Sequence, residues 1–91
     1  MTTPEEVFDN HYHGIHNSWT PIVYEHGWVN EPAVAYEISH NKDKTLWGLV
    51  VLTNDEWDIN ASGAFDSLPE VRTQLADLRI QYRNIRPTYI Q

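Results

Sequence analysis

The clearest pattern along the chain is an apolar stripe close to its C-terminus. Apolar side chains recur there at three- and four-residue steps, at Leu68, Val71, Leu75, Leu78, Tyr82 and Ile85. This spacing is typical of one face of an α-helix. Ser67 and Glu70 form a capping-box pair before the stripe, and Pro87 follows it. The pattern predicts an amphipathic helix from Leu68 to Arg86 that packs against the rest of the domain.

A shorter helix is predicted near the N-terminus. Thr3 is a suitable N-cap, Pro4 fits the first helical position, and Glu6 completes a capping box. Large side chains then recur on one side, at Val7, Phe8, His11, Tyr12 and Ile15. Gly14 is placed to end the helix in a left-handed conformation, so we expect the helix to span Pro4 to His13.

Between the helices, several segments have the composition of β-strands. Ile22 to His26 is rich in β-branched and aromatic residues, and Gly27 then interrupts it. Ala33 to Ser39 alternates apolar and polar residues, and a polar turn joins it to the apolar segment Lys44 to Thr53. The segment from Asn54 to Asn60 alternates more weakly and is predicted to be a short fourth strand.

The run from Leu46 to Leu52 is the most informative of these segments. It is apolar on both faces instead of alternating, which is typical of a central strand with both sides covered. The C-terminal helix covers one side only, and the other side needs the N-terminal helix, a partner subunit or a ligand. We therefore predict a single α+β domain over residues 1–91, in which a three- to four-stranded antiparallel sheet carries a short N-terminal helix and a long amphipathic C-terminal helix packed on it.

The charge of the chain argues against nucleic-acid and membrane partners. Its 91 residues include 13 acidic and 6 basic side chains, and the net charge of −7 repels phosphates and anionic lipids. No cysteine is present, which excludes thiol catalysis and thiolate metal sites and fits a reducing compartment. No apolar run is long enough to cross a bilayer, and the first residues lack the pattern of a secretory signal. We expect a soluble, cytoplasmic protein.

Histidines near the N-terminus are the candidate metal ligands. His11, His13 and His16 lie close together, and imidazole is a common ligand of zinc and non-haem iron. In a helix, however, His11 and His13 point about 200° apart and could share one ion only if this segment were extended. His13 and His16, three residues apart, are the better ligand pair. The alternative is that His11 and His13 both lie in the last helical turn, where positive charge is favourable. We favour this alternative and predict no metal and no other cofactor.

Arginines share one side of the predicted C-terminal helix, at Arg72, Arg79, Arg83 and Arg86. Helical geometry places them within about 60° of one another, beside the apolar stripe. In one interpretation they pair with acidic residues from the N-terminal half of the chain. In the other they form an edge that binds an anion or a partner, because guanidinium recognises carboxylate and phosphate. Both interpretations stay open, and Arg79 and Arg83 are candidate binding residues.

Aromatic side chains supply the remaining candidates. Four Trp and five Tyr are many for so short a chain, which rarely buries all of them. Trp, Tyr and Arg are also the residue types that are frequent at binding hot spots. We therefore predict that Trp19, Trp28, Trp47 and Tyr36 contribute to binding, with Trp19 and Trp28 the first candidates for a pocket or an interface. No residue is predicted to be catalytic, because no nucleophile motif or phosphate-binding loop is present.

These observations favour a small, acidic, noncatalytic protein-interaction module with an accessory or regulatory role. Because the core is thin and has no disulfide, we expect a homodimer, with another protein as a further partner. The alternative is a small-molecule pocket between sheet and helices, lined by Trp and Tyr. A histidine metal site and mimicry of nucleic acid are less favoured. No motif identifies the partner or the ligand.

Overall fold

The computed structural model describes residues 2–11 and 22–88. Within them two helices and five strands follow in the order α1 Pro4–His11, β1 Ile22–Asn30, β2 Val34–His40, β3 Trp47–Thr53, β4 Glu56–Trp57, β5 Gly63–Phe65 and α2 Leu68–Gln81. The predicted α+β class, with an antiparallel sheet between a short N-terminal and a longer C-terminal helix, is confirmed. None of the helices in these ranges is long and apolar enough to cross a membrane.

The strands form one antiparallel sheet, with β3 inside it and β1 at its edge. The order is β1-β2-β3-β4, and β5 pairs with the same side of β3 as β4 but at the other end of the strand, from Trp47 to Leu49. Tyr36 of β2 lies opposite both Gly27 of β1 and Val51 of β3. Between β4 and β5, Ser62 Oγ accepts a hydrogen bond of 3.0 Å from the Val51 N–H. β3 is therefore the central strand that its apolar sequence predicts.

One face of the sheet packs against α2. Val71, Leu75 and Leu78 of the helix are buried among apolar side chains of β2 and β3. The stripe predicted from the sequence is thus the buried face of the helix. Ser67 and Glu70 form the predicted capping box at its start.

The other face of the sheet is covered by α1. Val7 and Phe8 of this helix are buried against Ala35 of β2 and Leu52 of β3, and Val50 packs beside them. The sequence predicts that the N-terminal helix, a partner subunit or a ligand packs on this side of the central strand. In the structure, the N-terminal helix packs there.

Two β-bulges shape β1. Along its register with β2, Tyr24 and Val29 have no opposite residue. A bulge places two residues of one strand against a single residue of its neighbour, so adjacent side chains turn to the same face. Tyr24 and Glu25 both contact groups on the α2 face in this way, and so do Val29 and Asn30.

β1 extends further than the sequence predicts. The prediction ends this strand at His26 because a glycine follows, yet the ladder continues to Asn30. Gly27 lies opposite Tyr36, whose ring occupies the space that a side chain at Gly27 would need. A contact across the sheet, which no local pattern indicates, keeps the glycine within the strand.

The segment after β3 also differs from the prediction. The sequence predicts a strand from Asn54 to Asn60, but only the short β4 forms there. Asn54 and Asp55 have φ angles of 52° and 67° and make the two-residue turn between β3 and β4. The sequence does not predict β5, because its three residues begin with Gly and Ala, which are weak strand formers.

α2 ends at Gln81 and not at Arg86. The side-chain amide of Asn30 donates hydrogen bonds of 2.6 and 2.9 Å to the carbonyl oxygens of Tyr82 and Ile85. Tyr82 is the C-cap residue of the helix, and its carbonyl oxygen also accepts a hydrogen bond of 3.0 Å from the Ile85 N–H, whereas Ile85 lies beyond the helix. The predicted helix end at Arg86 is therefore wrong: the helix ends earlier, and a side chain from β1 binds the backbone of the segment that follows it.

Tyr82 connects the same junction to the other side of the sheet. Its hydroxyl donates a hydrogen bond of 2.5 Å to Oδ2 of Asp58, and Oδ1 of the same carboxylate accepts a hydrogen bond of 3.2 Å from the Ala61 N–H. Burial and the neighbouring carboxylate raise the pKa of Tyr82 to about 12. Tyr82 therefore stays protonated and keeps its role as a donor across the neutral range.

Replacing Phe8 with alanine tests how far α1 stabilises the sheet. Phe8 is fully buried, so we expect Phe8→Ala to lower the free energy of unfolding by about 3 kcal/mol in urea denaturation. Ile80→Ala is the control, because Ile80 is exposed on α2 and its truncation should cost less than about 0.5 kcal/mol. Equal losses in the two variants would contradict the packing of α1 on the sheet.

Candidate functional site

The free edge of the sheet is the basis of the candidate site. β1 is the outermost strand, and among residues 2–11 and 22–88 it pairs only with β2. The outer N–H and C=O groups of such a strand are available to pair with another strand. The first residues of β1, here termed its apolar end, expose much of their side chains: Ile22 47%, Val23 50% and Tyr24 45%. Within residues 2–11 and 22–88, exposed apolar side chains thus occur on a strand edge that no other strand covers.

Aromatic packing supports the apolar end. The Tyr24 ring packs edge-on against Trp47, with 5.2 Å between centroids, and lies 6.1 Å from the His40 ring. His40 and Trp47 are buried and contact each other at 5.0 Å. Leu46, which precedes Trp47, is exposed at the same end of the sheet. One part of the Tyr24 ring is therefore exposed to solvent, while the buried residues His40 and Trp47 support the ring from below.

Gly27 allows Tyr36 to lie across β1. A Cβ atom at Gly27 would come within 2.5 Å of Cε2 and Cζ of Tyr36, so the ring already fills that space. Antiparallel sheets use this arrangement to cover a glycine with an aromatic ring from the neighbouring strand. The ring position brings the Tyr36 hydroxyl to Glu25, to which it donates a hydrogen bond of 2.5 Å.

Glu25 joins the edge strand to α2. The Arg72 guanidinium donates two hydrogen bonds to its carboxylate, of 2.6 and 2.8 Å, in the forked geometry that these groups prefer. The Arg72 bonds, assisted by the Tyr36 hydroxyl, outweigh burial and lower the pKa of Glu25 from 4.5 to about 2. Burial and the bond to Glu25 raise the pKa of Tyr36. Glu25 is therefore ionised at neutral pH and neutralises Arg72.

Two further arginines continue along β1. Arg79 lies over the Tyr36 ring, with 5.8 Å between its guanidinium carbon and the ring centroid, in a cation–π contact. Arg83 and Asn30, at the end of β1, line a surface cleft of about 270 Å³. Arg72, Arg79 and Arg83 are here termed the arginine row. In the part of the chain that the structure describes, only Arg72 of this row forms an ion pair.

A second polar pair lies on the opposite face of the same strands. Nε2 of His26 and Oε2 of Glu37 are 2.8 Å apart, and the two side chains are only 13% and 10% exposed. Phe8 of α1 packs beside His26, with 5.2 Å between ring centroids. The sequence does not predict this pair, because the register that places His26 opposite Glu37 is a property of the fold. The pair joins β1 to β2 beneath α1 and does not face the open edge.

The three tryptophans predicted to bind have different environments. Trp47 is 6% exposed and belongs to the main core. Trp28 is half-buried and packs against the α1 cluster. Trp19 lies outside the described residues. Their role in binding stays a prediction, and the two that are described do not share a surface.

The other predicted binding residues lie along the free edge. Tyr36 is 4% exposed and contacts Arg79 through the face of its ring. Arg83 follows Arg79 along the arginine row and is exposed. Arg72 pairs with an acid of the same protein, as one of the two interpretations of the arginines predicts. The binding role of Tyr36, Arg79 and Arg83 stays a prediction.

The metal hypothesis involves residues that the structure describes only in part. His13 and His16 lie outside the described ranges, and His11 is the last residue of α1. Within residues 2–11 and 22–88, no group of three or more His, Asp or Glu side chains is arranged to hold a metal ion. The histidine site therefore stays a prediction.

The small-molecule alternative predicts an aromatic-lined pocket between the sheet and the helices. A surface cleft of about 580 Å³ instead lies beside the β3–β4 turn, where Trp57 and Asp58 line it. The cleft of about 270 Å³ described above lies between the β1–β2 turn and the segment after α2. Turns form both of these clefts, so neither supports the predicted interior pocket.

Sequence analysis missed the apolar end and the role of Glu25. The β-branched and aromatic residues from Ile22 to Tyr24 indicate a strand, but their exposure depends on β1 having a single neighbour in the sheet. Glu25 gives a weak signal, since it is an isolated acid in an otherwise apolar strand segment. Its partner Arg72 is 47 positions away in sequence.

Comparison with protein-family models, curated proteins and solved structures finds no match to this chain. The functional argument therefore rests on the geometry of the free edge.

Gly27→Ala tests whether the position of the Tyr36 ring depends on the absence of a side chain at residue 27. The new methyl group would overlap the Tyr36 ring, so we expect a loss of about 1–3 kcal/mol in the free energy of unfolding. Gly63→Ala is the matched control, because its Cβ would meet only Phe65 ring atoms, at 3.7 Å. In a Tyr36→Ala background, Gly27→Ala should have little further effect. A similar loss in both backgrounds would contradict the proposed overlap.

The Glu25–Arg72 pair predicts a specific dependence of stability on pH. Because folding lowers the pKa of Glu25 from 4.5 to about 2, the pair stabilises the fold above pH 4.5 and loses this effect as the pH falls toward 2. We expect Glu25→Gln to lower the free energy of unfolding by about 1 kcal/mol at neutral pH. Near pH 2 the variant and the wild type should have converged, and Arg72→Gln should behave in the same way. Parallel curves over this range would contradict the role of the pair.

Proposed function

We propose that this chain is a noncatalytic protein-interaction module that docks an extended segment of another protein on the free edge of β1. The observation that carries the proposal is the combination of an open strand edge with the exposed side chains of Ile22, Val23 and Tyr24. Strand addition of this kind obtains affinity from main-chain hydrogen bonds and specificity from contacts of alternate side chains.

The length and regularity of β1 support this edge over the other side of the sheet. β1 spans Ile22–Asn30, and between its bulges it keeps a regular register with β2. On the far side of β3, β4 and β5 contain two and three residues. Ser62 Oγ and the Asp58 N–H bond to Val51 in the gap between them. Short, interrupted strands are a poor template for pairing with another chain.

A second copy of the chain is a less suitable partner for this edge. Antiparallel pairing of β1 with its copy has a two-fold axis perpendicular to the sheet and places both α2 helices on the same face. The two arginine rows would then face each other, and like charges in close contact are unfavourable. The second face of the sheet already has a cover in α1, which removes one reason to expect a dimer. We therefore propose a different protein as the partner, in the cytoplasm.

Selection of displayed random peptides on the immobilised protein tests the proposal. We expect enriched peptides with alternating apolar residues. Val23→Lys should weaken their binding by about tenfold or more, because it places a charge in the apolar contact. Ile59→Lys is the matched control, since Ile59 is also exposed but lies outside β1, and it should leave binding unchanged. The absence of enrichment, or equal loss in both variants, would overturn the proposal.

Light scattering at increasing concentration checks which partner occupies the edge. The expected mass is that of the single chain, 10.6 kDa. A dimer that Val23→Lys dissociates and Ile59→Lys leaves intact would show that a second copy docks there, against the partner proposed. A dimer insensitive to both changes would use another surface, and the peptide selection would then decide the role of β1.

A further inference from the structure

The arginine row runs beside the free edge along much of its length. Arg72 binds Glu25 in the first half of β1, and Arg83 lines the cleft at the end of the strand. Between them, Arg79 lies over the Tyr36 ring. α2 and β1 therefore lie side by side, and exposed guanidinium groups follow the strand on the α2 face.

Two members of the row lie outside the Glu25 ion pair, although the charge of Arg79 also helps to lower the pKa of Glu25. Arg72 is paired with Glu25, whereas no ion pair is formed by Arg79 or Arg83 within residues 2–11 and 22–88. Glu31 lines the same cleft as Arg83 but forms no ion pair with it. In a chain of net charge −7, these two exposed arginines therefore place cationic groups beside the edge of β1.

We infer that the segment docked on β1 carries carboxylate side chains that face the arginine row. This inference rests on the proposed function and adds the chemistry of the partner. An added strand lies about 4.8 Å beyond β1, and every second side chain points to the α2 face. Arginine side chains are long and flexible, and their guanidinium groups bind carboxylates in forked geometry. Asp or Glu at alternate positions of the segment therefore pairs with Arg79 and Arg83.

The two ends of β1 favour different side chains in the docked segment. At the apolar end, exposed Ile22 to Tyr24 favour apolar contacts. Toward Asn30, Arg79 and Arg83 favour acidic contacts. The partner is thus a protein with an extended segment that is apolar at one end and acidic at the other.

Single-stranded nucleic acid also presents anionic groups in a row, but this chain does not suit it. Its net charge of −7 repels a polyanion at long range, whereas a short acidic segment carries few charges. An oligothymidylate strand therefore serves as a competing probe in the test. It should fail to displace a selected peptide.

The sequences and affinities of the displayed peptides test the inference. We expect the enriched peptides to carry Asp or Glu at alternate positions at one end. Arg79→Gln and Arg83→Gln should each weaken a synthetic copy of an enriched peptide by about tenfold, because each loses a charge-assisted contact. Lys42→Gln is the matched control, since it removes the same charge from an exposed position in the β2–β3 turn and should change the affinity less than about twofold.

The outcomes separate the inference from the proposed function. Enriched peptides that bind through Val23 but carry no acidic residues would overturn the inference and leave the function in place. The same holds if Arg79→Gln and Lys42→Gln have equal effects, or if oligothymidylate displaces the peptide. A selection without any peptide that depends on Val23 would overturn the proposed function itself.

Discussion

The contact between Tyr36 and Gly27 determines how the open edge of this domain is built. Because Gly27 has no side chain, the Tyr36 ring lies across β1 and its hydroxyl reaches Glu25. Glu25 in turn binds Arg72, so one series of contacts joins β2, β1 and α2. The same ring lies beneath Arg79. The positions of two arginines beside the edge therefore depend on the absence of one side chain in the edge strand.

The parts of the fold that follow from local pattern are predictable from the sequence. The spacing of Val71, Leu75 and Leu78 identifies the buried face of α2, and a doubly apolar run identifies the central strand. The parts that depend on contacts between distant residues are not predictable in this way. Asn30 binds the backbone just after α2 through a hydrogen bond to Tyr82, 52 positions further along the chain, and no residue next to the helix indicates this.

The candidate site is less predictable than the fold, because it depends on strand order and register. Composition indicates that arginine and aromatic side chains make specific contacts, and Arg79 over Tyr36 is one of them. Which arginine is neutralised within the protein depends on a bulge. Glu25 reaches Arg72 because Tyr24 is the extra residue of a bulge, so that the side chains of Tyr24 and Glu25 both turn to the α2 face. Neither the bulge nor the exposure of an edge residue appears in a pattern of apolar and polar positions.

The two bulges of β1 also limit how far the sheet can grow. Only Glu25 to Trp28 keep an uninterrupted register with β2, and each bulge bends and twists the strand. A long, flat edge adds strands without limit, which is the geometry of amyloid fibrils. A strand that bends near both ends can pair with one short peptide segment, but the sheet that results has no straight edge on which a further chain could add. The bulges thus distinguish an edge that is open to recognition from an edge that is open to polymerisation.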